Sequence, residues 1–210
     1  MGVFDHLKGK RKTRGYIGHF RLDDWWFAEF NESEREHMCG VYEPFGDSDV
    51  TLTDGDLDFT SETLIAFLWG LSSWFTKKED RYLAHKILDK AEESIDDTTD
   101  ILDVHFLLEQ KIKTWYKDRD QPSALEKAIE ACKRQIEIGP LTAKAFRAGY
   151  NGPLPIHKGY EQLAIVYEIQ KEYAQAIGLC DEAVQQGWAG DWKKRIDRCT
   201  RKLDRGRRQP

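Results

Sequence analysis

The sequence predicts an all-α protein, built from helix pairs joined by short turns and preceded by an irregular, aromatic-rich N-terminal lobe. Three observations carry that expectation. From Ser61 onward apolar residues recur at three- and four-residue spacing, the period of an amphipathic helix. Only six Pro occur in 210 residues, so few helices are interrupted by a residue that lacks an amide donor. One stretch of the chain also repeats at the length of a helix pair.

The elements follow in order. Residues 1–15 read as a basic, flexible arm, because they carry Lys and Arg without an apolar period. Residues 16–60 read as the lobe and an acidic loop. In the lobe, Asp23 or Asp24 is placed to cap a short helix through Phe30, and Asn31 or Ser33 to cap another. The loop from Glu43 to Thr60 holds Pro44, two Gly and five Asp, with room for a short strand at Val50–Leu52. Thr60 or Ser61 is placed to cap the apolar stretch to Phe75. Residues 79–95 put Leu83, Ile87, Leu88, Ala91 and Ile95 on one face. Further helices are expected at 101–116, 124–138, 141–150, 157–170, 174–187 and 192–203, with Gly139–Pro140 as a stop. Short turns between successive helices imply antiparallel neighbours.

The repeat is visible in two places. His105–Gln110 aligns with His157–Gln162, and Ala128–Cys132 aligns with Ala176–Cys180. The offsets, 52 and 48 residues, differ by an insertion that falls in the turn around Asp118–Ser123. A turn is where a repeat tolerates extra residues. The second unit resembles a tetratricopeptide repeat (TPR). Tyr160 stands for the family's Trp, Leu163 and Ala164 for its Leu-Gly, and Tyr167 for its Tyr; Ala176, Cys180 and Ala183 fill the second helix, and Trp188 the usual Pro site. The first unit is degenerate: Ile112 and Gln135 stand where small residues are wanted. The resemblance is clearest at 157–190, extends in degenerate form over 105–140, and covers nothing before residue 60. It implies a short right-handed α-solenoid over residues 61–190, with residues 191–210 as a basic capping helix and tail.

Charge and composition exclude several classes. The net charge is −5, but residues 1–14 carry +4 and residues 191–210 carry +6, leaving −15 between them. A general nucleic-acid surface needs a broad basic face, so nucleic acid is not expected as the main partner, and only a local contact through the basic C-terminal helix stays open. The longest apolar stretch, Leu64–Phe75, is broken by Gly70, Ser72 and Ser73 and is too short for a membrane span of ~20 residues. No membrane association is expected. Cys39, Cys132, Cys180 and Cys199 form no CxxC pair, and with no secretory signal they read as thiols of a cytoplasmic protein.

The resemblance implies function too. In TPR proteins the first helix of each pair lines a groove that holds peptides. The matching positions are Phe106, Glu109, Lys113 and Tyr116 in the first unit and Lys158, Glu161, Ile165 and Glu168 in the second. They imply a protein or peptide partner bound by a non-enzymatic adaptor or regulator, without a cofactor. Pairing through end helices makes a homodimer a fair expectation. A competing expectation is a metal-dependent, hydrolase-like helical enzyme that uses His85, Asp103, His105 and Glu109. His37 with Cys39 is a weaker set. Asp54, Asp56 and Asp58 mimic a calcium loop but lack its later Gly and Glu, so they read as an acidic turn. Glycine-rich phosphate loops and nucleophile elbows are missing. The cluster Trp25, Trp26, Phe27 and Phe30 reads as packing of the lobe onto the helices that carry Trp69 and Trp74.

Overall fold

The computed structural model describes residues 12–43 and 49–207. They form eleven helices and two very short strands, so the chain is predominantly all-α. It divides into two compact units, residues 1–64 and 65–210. Most of the expected arm, residues 1–11, and the part of the acidic loop at 44–48 lie outside the described residues.

The first unit holds α1 (Gly15–His19), α2 (Asp23–Glu29) and α3 (Glu32–Val41). Asn31 caps α3 in a reciprocal box: its side chain accepts from Glu34 N while Glu34 Oε2 accepts from Asn31 N at 2.8 Å. Thr13–Gly15 are tied down rather than loose. Thr13 N donates to Asp23, Arg14 N to Thr53 O at 3.0 Å and Gly15 N to Gly55 O at 2.9 Å. Gly15 has φ +56, and a Cβ there would meet Thr51 O at 2.3 Å, so only glycine fits this junction. No strand forms at Val50–Leu52. Thr51 N instead closes a turn onto Asp54 O, and Leu52 O accepts from Ile17 at a helix start. Asp54 and Asp56 pair with Arg14, which makes them the acidic turn expected of them. Ile17, Leu22, Trp26, Phe30, Met38 and Leu52 are buried.

α4 (Leu64–Ser72) opens the second unit. It starts three residues later than the sequence suggests, and neither Thr60 nor Ser61 caps it, because Thr60 Oγ1 accepts from Glu62 N in a local turn. Then come α5 (Arg81–Glu93), α6 (Ile101–Lys117), α7 (Ala124–Glu137) and α8 (Gly139–Gly149). Asp100 caps α6 by accepting from Leu102 N at 2.7 Å. At Gly139–Pro140 the chain ends α7 and immediately starts α8, with Pro in the first turn, where its missing N–H costs nothing. β1 (Leu154–Ile156) follows, then α9 (Lys158–Ile169), α10 (Tyr173–Gln186), β2 (Trp188–Ala189) and α11 (Trp192–Arg207). β1 and β2 pair in parallel, clasping the α9–α10 pair at its ends.

α5 packs on α6, α6 on α7, α7 on α9, α9 on α10, and α10 on α11. Of the positions that carry the TPR resemblance, Tyr160, Ala164, Ala176, Cys180 and Ala183 have no exposed surface, Leu163 and Trp188 are buried, and Tyr167 is half-buried. Small side chains there let helix backbones approach closely. α11 turns Trp192 and Cys199 inward, with Ile196 packed on the same cluster.

Candidate functional site

α6 and α9 are in contact, but the eight expected groove residues do not share one environment. On α6, Phe106 is half-buried beside Trp69 and Phe146, at 5.6 and 6.0 Å between ring centroids. Glu109 is half-buried and pairs with Lys113 across one turn, and Tyr116 lies beneath the Arg119 guanidinium at 4.9 Å. On α9, Lys158 pairs with Glu161 at 2.8 Å, and Ile165 is half-buried. Glu168 is engaged by α11. It accepts from Arg195 (3.0 Å), Arg198 (2.7 Å) and Lys202 (2.8 Å), and the bonds from Arg198 and then Lys202 hold its carboxyl down to about 2 against the opposing effect of burial.

Two cavities flank β1. The first, about 360 Å³, is lined by Phe106, Phe146, Tyr150, Gly152, Pro153, Leu154 and Pro155, with no charged side chain among them. The second, about 450 Å³, is lined by Ile156, Glu161, Trp192 and Arg195 among others. Leu154 and Pro155 face one cavity and Ile156 the other, so the strand bridges them. Tyr150 and Ile156 are more than half exposed. Sequence reading missed Phe146, Tyr150 and the 153–155 segment as site residues. The available signal was the aromatic pair four residues apart at the end of α8, Phe146 within it and Tyr150 just past it, leading into a proline-containing loop.

Behind the first cavity lies a buried histidine pair. His105 is 1% exposed, its ring parallel to Trp188 at 5.8 Å and edge-on to His157 at 5.1 Å. Neither of its ring nitrogens has a hydrogen-bond partner, nor does His157 Nε2. His157 Nδ1 caps α9 by accepting from Tyr160 N at 3.4 Å. Burial pushes His105 down to about 4 and His157 down to about 3, Glu109 opposing the first and the neighbouring His105 assisting the second. Both rings are therefore neutral, as an acceptor cap requires. Gln135 completes this junction: its Nε2 donates to His105 O at 2.9 Å, and its Oε1 accepts from Gly159 N at 2.6 Å.

The metal expectation is corrected by these positions. His85 is bound to Asp118, Nε2 to Oδ2 at 3.1 Å, and stacks on Trp115 at 3.6 Å, while His105 is enclosed by aromatic rings. Asp118 also takes Arg81 at 2.7 Å, which holds its carboxyl below the usual range. Among the described residues no group of three His, Cys, Asp or Glu side chains is placed to hold a metal ion. His85, Asp103, His105 and Glu109 thus form no ligand set. None of the helices among the described residues is long and apolar enough to cross a membrane.

Comparison with family models, with curated proteins and with solved structures finds no match to this chain.

Proposed function

We propose that this chain is a non-enzymatic, TPR-like interaction module, a cytoplasmic adaptor or regulator, that docks an extended peptide across β1. One observation carries the reading: an uncharged aromatic cavity and a charged cavity stand side by side, bridged by a three-residue strand. The first cavity is large enough to take one aromatic or branched aliphatic side chain, within the lower range for ligand pockets of roughly 300–1,000 Å³. Affinity comes from desolvating that side chain against Phe106, Phe146 and Tyr150. Selectivity comes from Glu161 and Arg195 in the neighbouring cavity, where Lys158 pairs with Glu161. Glu168 acts on α11 rather than on the peptide. The cytoplasmic assignment is supported by Cys132, Cys180 and Cys199, which are packed as small apolar side chains.

Panning a random peptide library on the purified chain tests this. A consensus with one large apolar anchor is expected, with acidic or basic residues two or three positions away. Tyr150→Ala and Ile156→Asp, both at exposed positions, should each weaken the selected peptide about tenfold or more, in line with loss of a central anchor contact. Peptides that bind both variants as well as wild type would sink the proposal, and so would the absence of any consensus.

A further inference from the structure

We propose that α11 is a binding site for single-stranded nucleic acid, in which a row of cations tracks the phosphates and Tyr173 stacks on a base. At ~100° per residue, Lys194, Arg195, Arg198, Arg201, Lys202 and Arg205 all fall within about 120° of the helix circumference. Trp192, Ile196, Cys199 and Leu203 occupy the opposite stripe, and Asp197 and Asp204 lie on the flank outside the cationic arc. Among the described residues the carboxylates in ion-pair contact with the arc are Glu168 and Asp191, so there six cations meet two anions. The Asp191–Lys194 pair is about four-fifths exposed on both sides, where such pairs contribute little. Lys194, Arg201, Lys202 and Arg205 are exposed.

Sequence alone offers no stacking platform for this helix. The fold supplies one from another element. Tyr173, the first residue of α10, is half-buried, and Lys202 Nζ stands 5.6 Å from its ring centroid. Glu168 fixes this arrangement by holding Lys202 and Arg198 in place. A basic track with an adjacent aromatic face is the combination that single strands use, because backbone charge and base stacking are both independent of sequence. The row from Lys194 to Arg205 spans twelve residues, about 16 Å along the helix. That is room for about five phosphates at the ~3.4 Å axial spacing of a stacked strand, and the four net positive charges left by Glu168 and Asp191 neutralise about four of them. Arg predominates in the arc, which favours phosphate over a carboxylate-bearing peptide for reasons of fork geometry and weaker hydration. A lipid surface fits poorly, because the apolar stripe of α11 is spent on the protein core: Trp192 and Cys199 are buried.

Fluorescence anisotropy of the full chain with a labelled dodecamer of oligo-U tests the proposal, using KCl from 50 to 300 mM. Binding is expected, with log affinity falling against log salt at a slope of about −3, from four phosphates at ~0.7 each. The variant Lys194→Glu/Arg201→Glu/Arg205→Glu changes exposed positions only and should fold as wild type by circular dichroism while losing more than tenfold in affinity. Tyr173→Ala should lose about fivefold or more, leaving the slope unchanged, because stacking adds no counterion release. No binding at 50 mM KCl would overturn the proposal. Binding untouched by the charge reversal would also overturn it, placing the contact elsewhere on the chain. Equal or tighter binding of a labelled oligo-glutamate would replace nucleic acid with an acidic protein as the partner.

Discussion

At the residue scale the buried histidines have the clearest measurable consequence. His157 is an unusual helix cap, because its Nδ1 accepts only while the ring is neutral. Protonation would turn the acceptor into a donor facing Tyr160 N, beside a second buried ring. Both folded-state values, about 4 for His105 and about 3 for His157, lie below the ~6.5 of an unfolded chain. Between those limits the unfolded state binds more protons. The stability that comes from burying neutral rings is therefore complete above pH 6.5 and is lost as pH falls toward 4. Each ring contributes a slope of up to about 1.4 kcal/mol per pH unit in that window. His85, pushed down by burial against the opposing pull of Asp118, adds in the same direction. The decline begins above the carboxylate range, so Glu168 does not confuse it; its contribution is lost only as pH drops below ~4.3 toward 2. Urea midpoints at pH 7 and pH 5 should show a marked drop for wild type. His157→Asn keeps a capping acceptor and removes one titrating ring, so it should have a visibly shallower pH dependence. Equal slopes for the two proteins would refute the assignment.

At the scale of elements, Gln135 shows why the repeat looks worse in sequence than in space. It occupies the position where the second unit has Ala183, and a small residue there would let helices approach directly. The first unit joins α7 to α6 and α9 by a fully buried amide, which bonds His105 O and Gly159 N. Gly159 is its necessary counterpart, since a Cβ there would stand 2.8 Å from Cys132 O. Hydrogen bonding therefore replaces close packing at one junction, and a pattern built from small residues cannot register that exchange. Gln135→Leu keeps the volume and leaves the Gly159 N–H buried without its partner. The expected cost is about 2 kcal/mol, the desolvation penalty of one orphaned amide plus a lost bond. Chemical denaturation measures it. A change under 0.5 kcal/mol would mean that the junction is held by apolar contact alone.

On the scale of the whole chain, helices were legible where apolar periodicity was long, as in α6, or where a capping residue stood out, as Asn31 does for α3. The start of α4 was not, because Thr60 spends its hydroxyl on a local turn. The β1–β2 clasp was also invisible, since it is five residues in two pieces with Pro155 inside the longer one. Of the site, sequence alignment pointed to Phe106 and Glu161 but not to Phe146 or Tyr150, which only tertiary folding brings against Phe106. The same distinction governs what α11 does. In sequence it reads as a cap with a charged exterior; in the fold it buries Trp192 and Cys199 and packs Ile196 on the core that holds Trp188 and Tyr160. Full burial of such side chains contributes roughly 1.5–3 kcal/mol each. A chain ending at Gly190 therefore forfeits about 5 kcal/mol, which is comparable to the whole stability of a small domain at ~5–15 kcal/mol. It also bares the apolar face of α10, and stacked helical repeats need a polar end to stay monomeric. The truncated chain should thus lose helical signal or self-associate, read by circular dichroism and by light scattering after size exclusion. A monomeric, fully helical 190-residue fragment would show that α11 is an appendage. That outcome would confine its role to its basic face, which the charge-reversal variant tests with the core left intact.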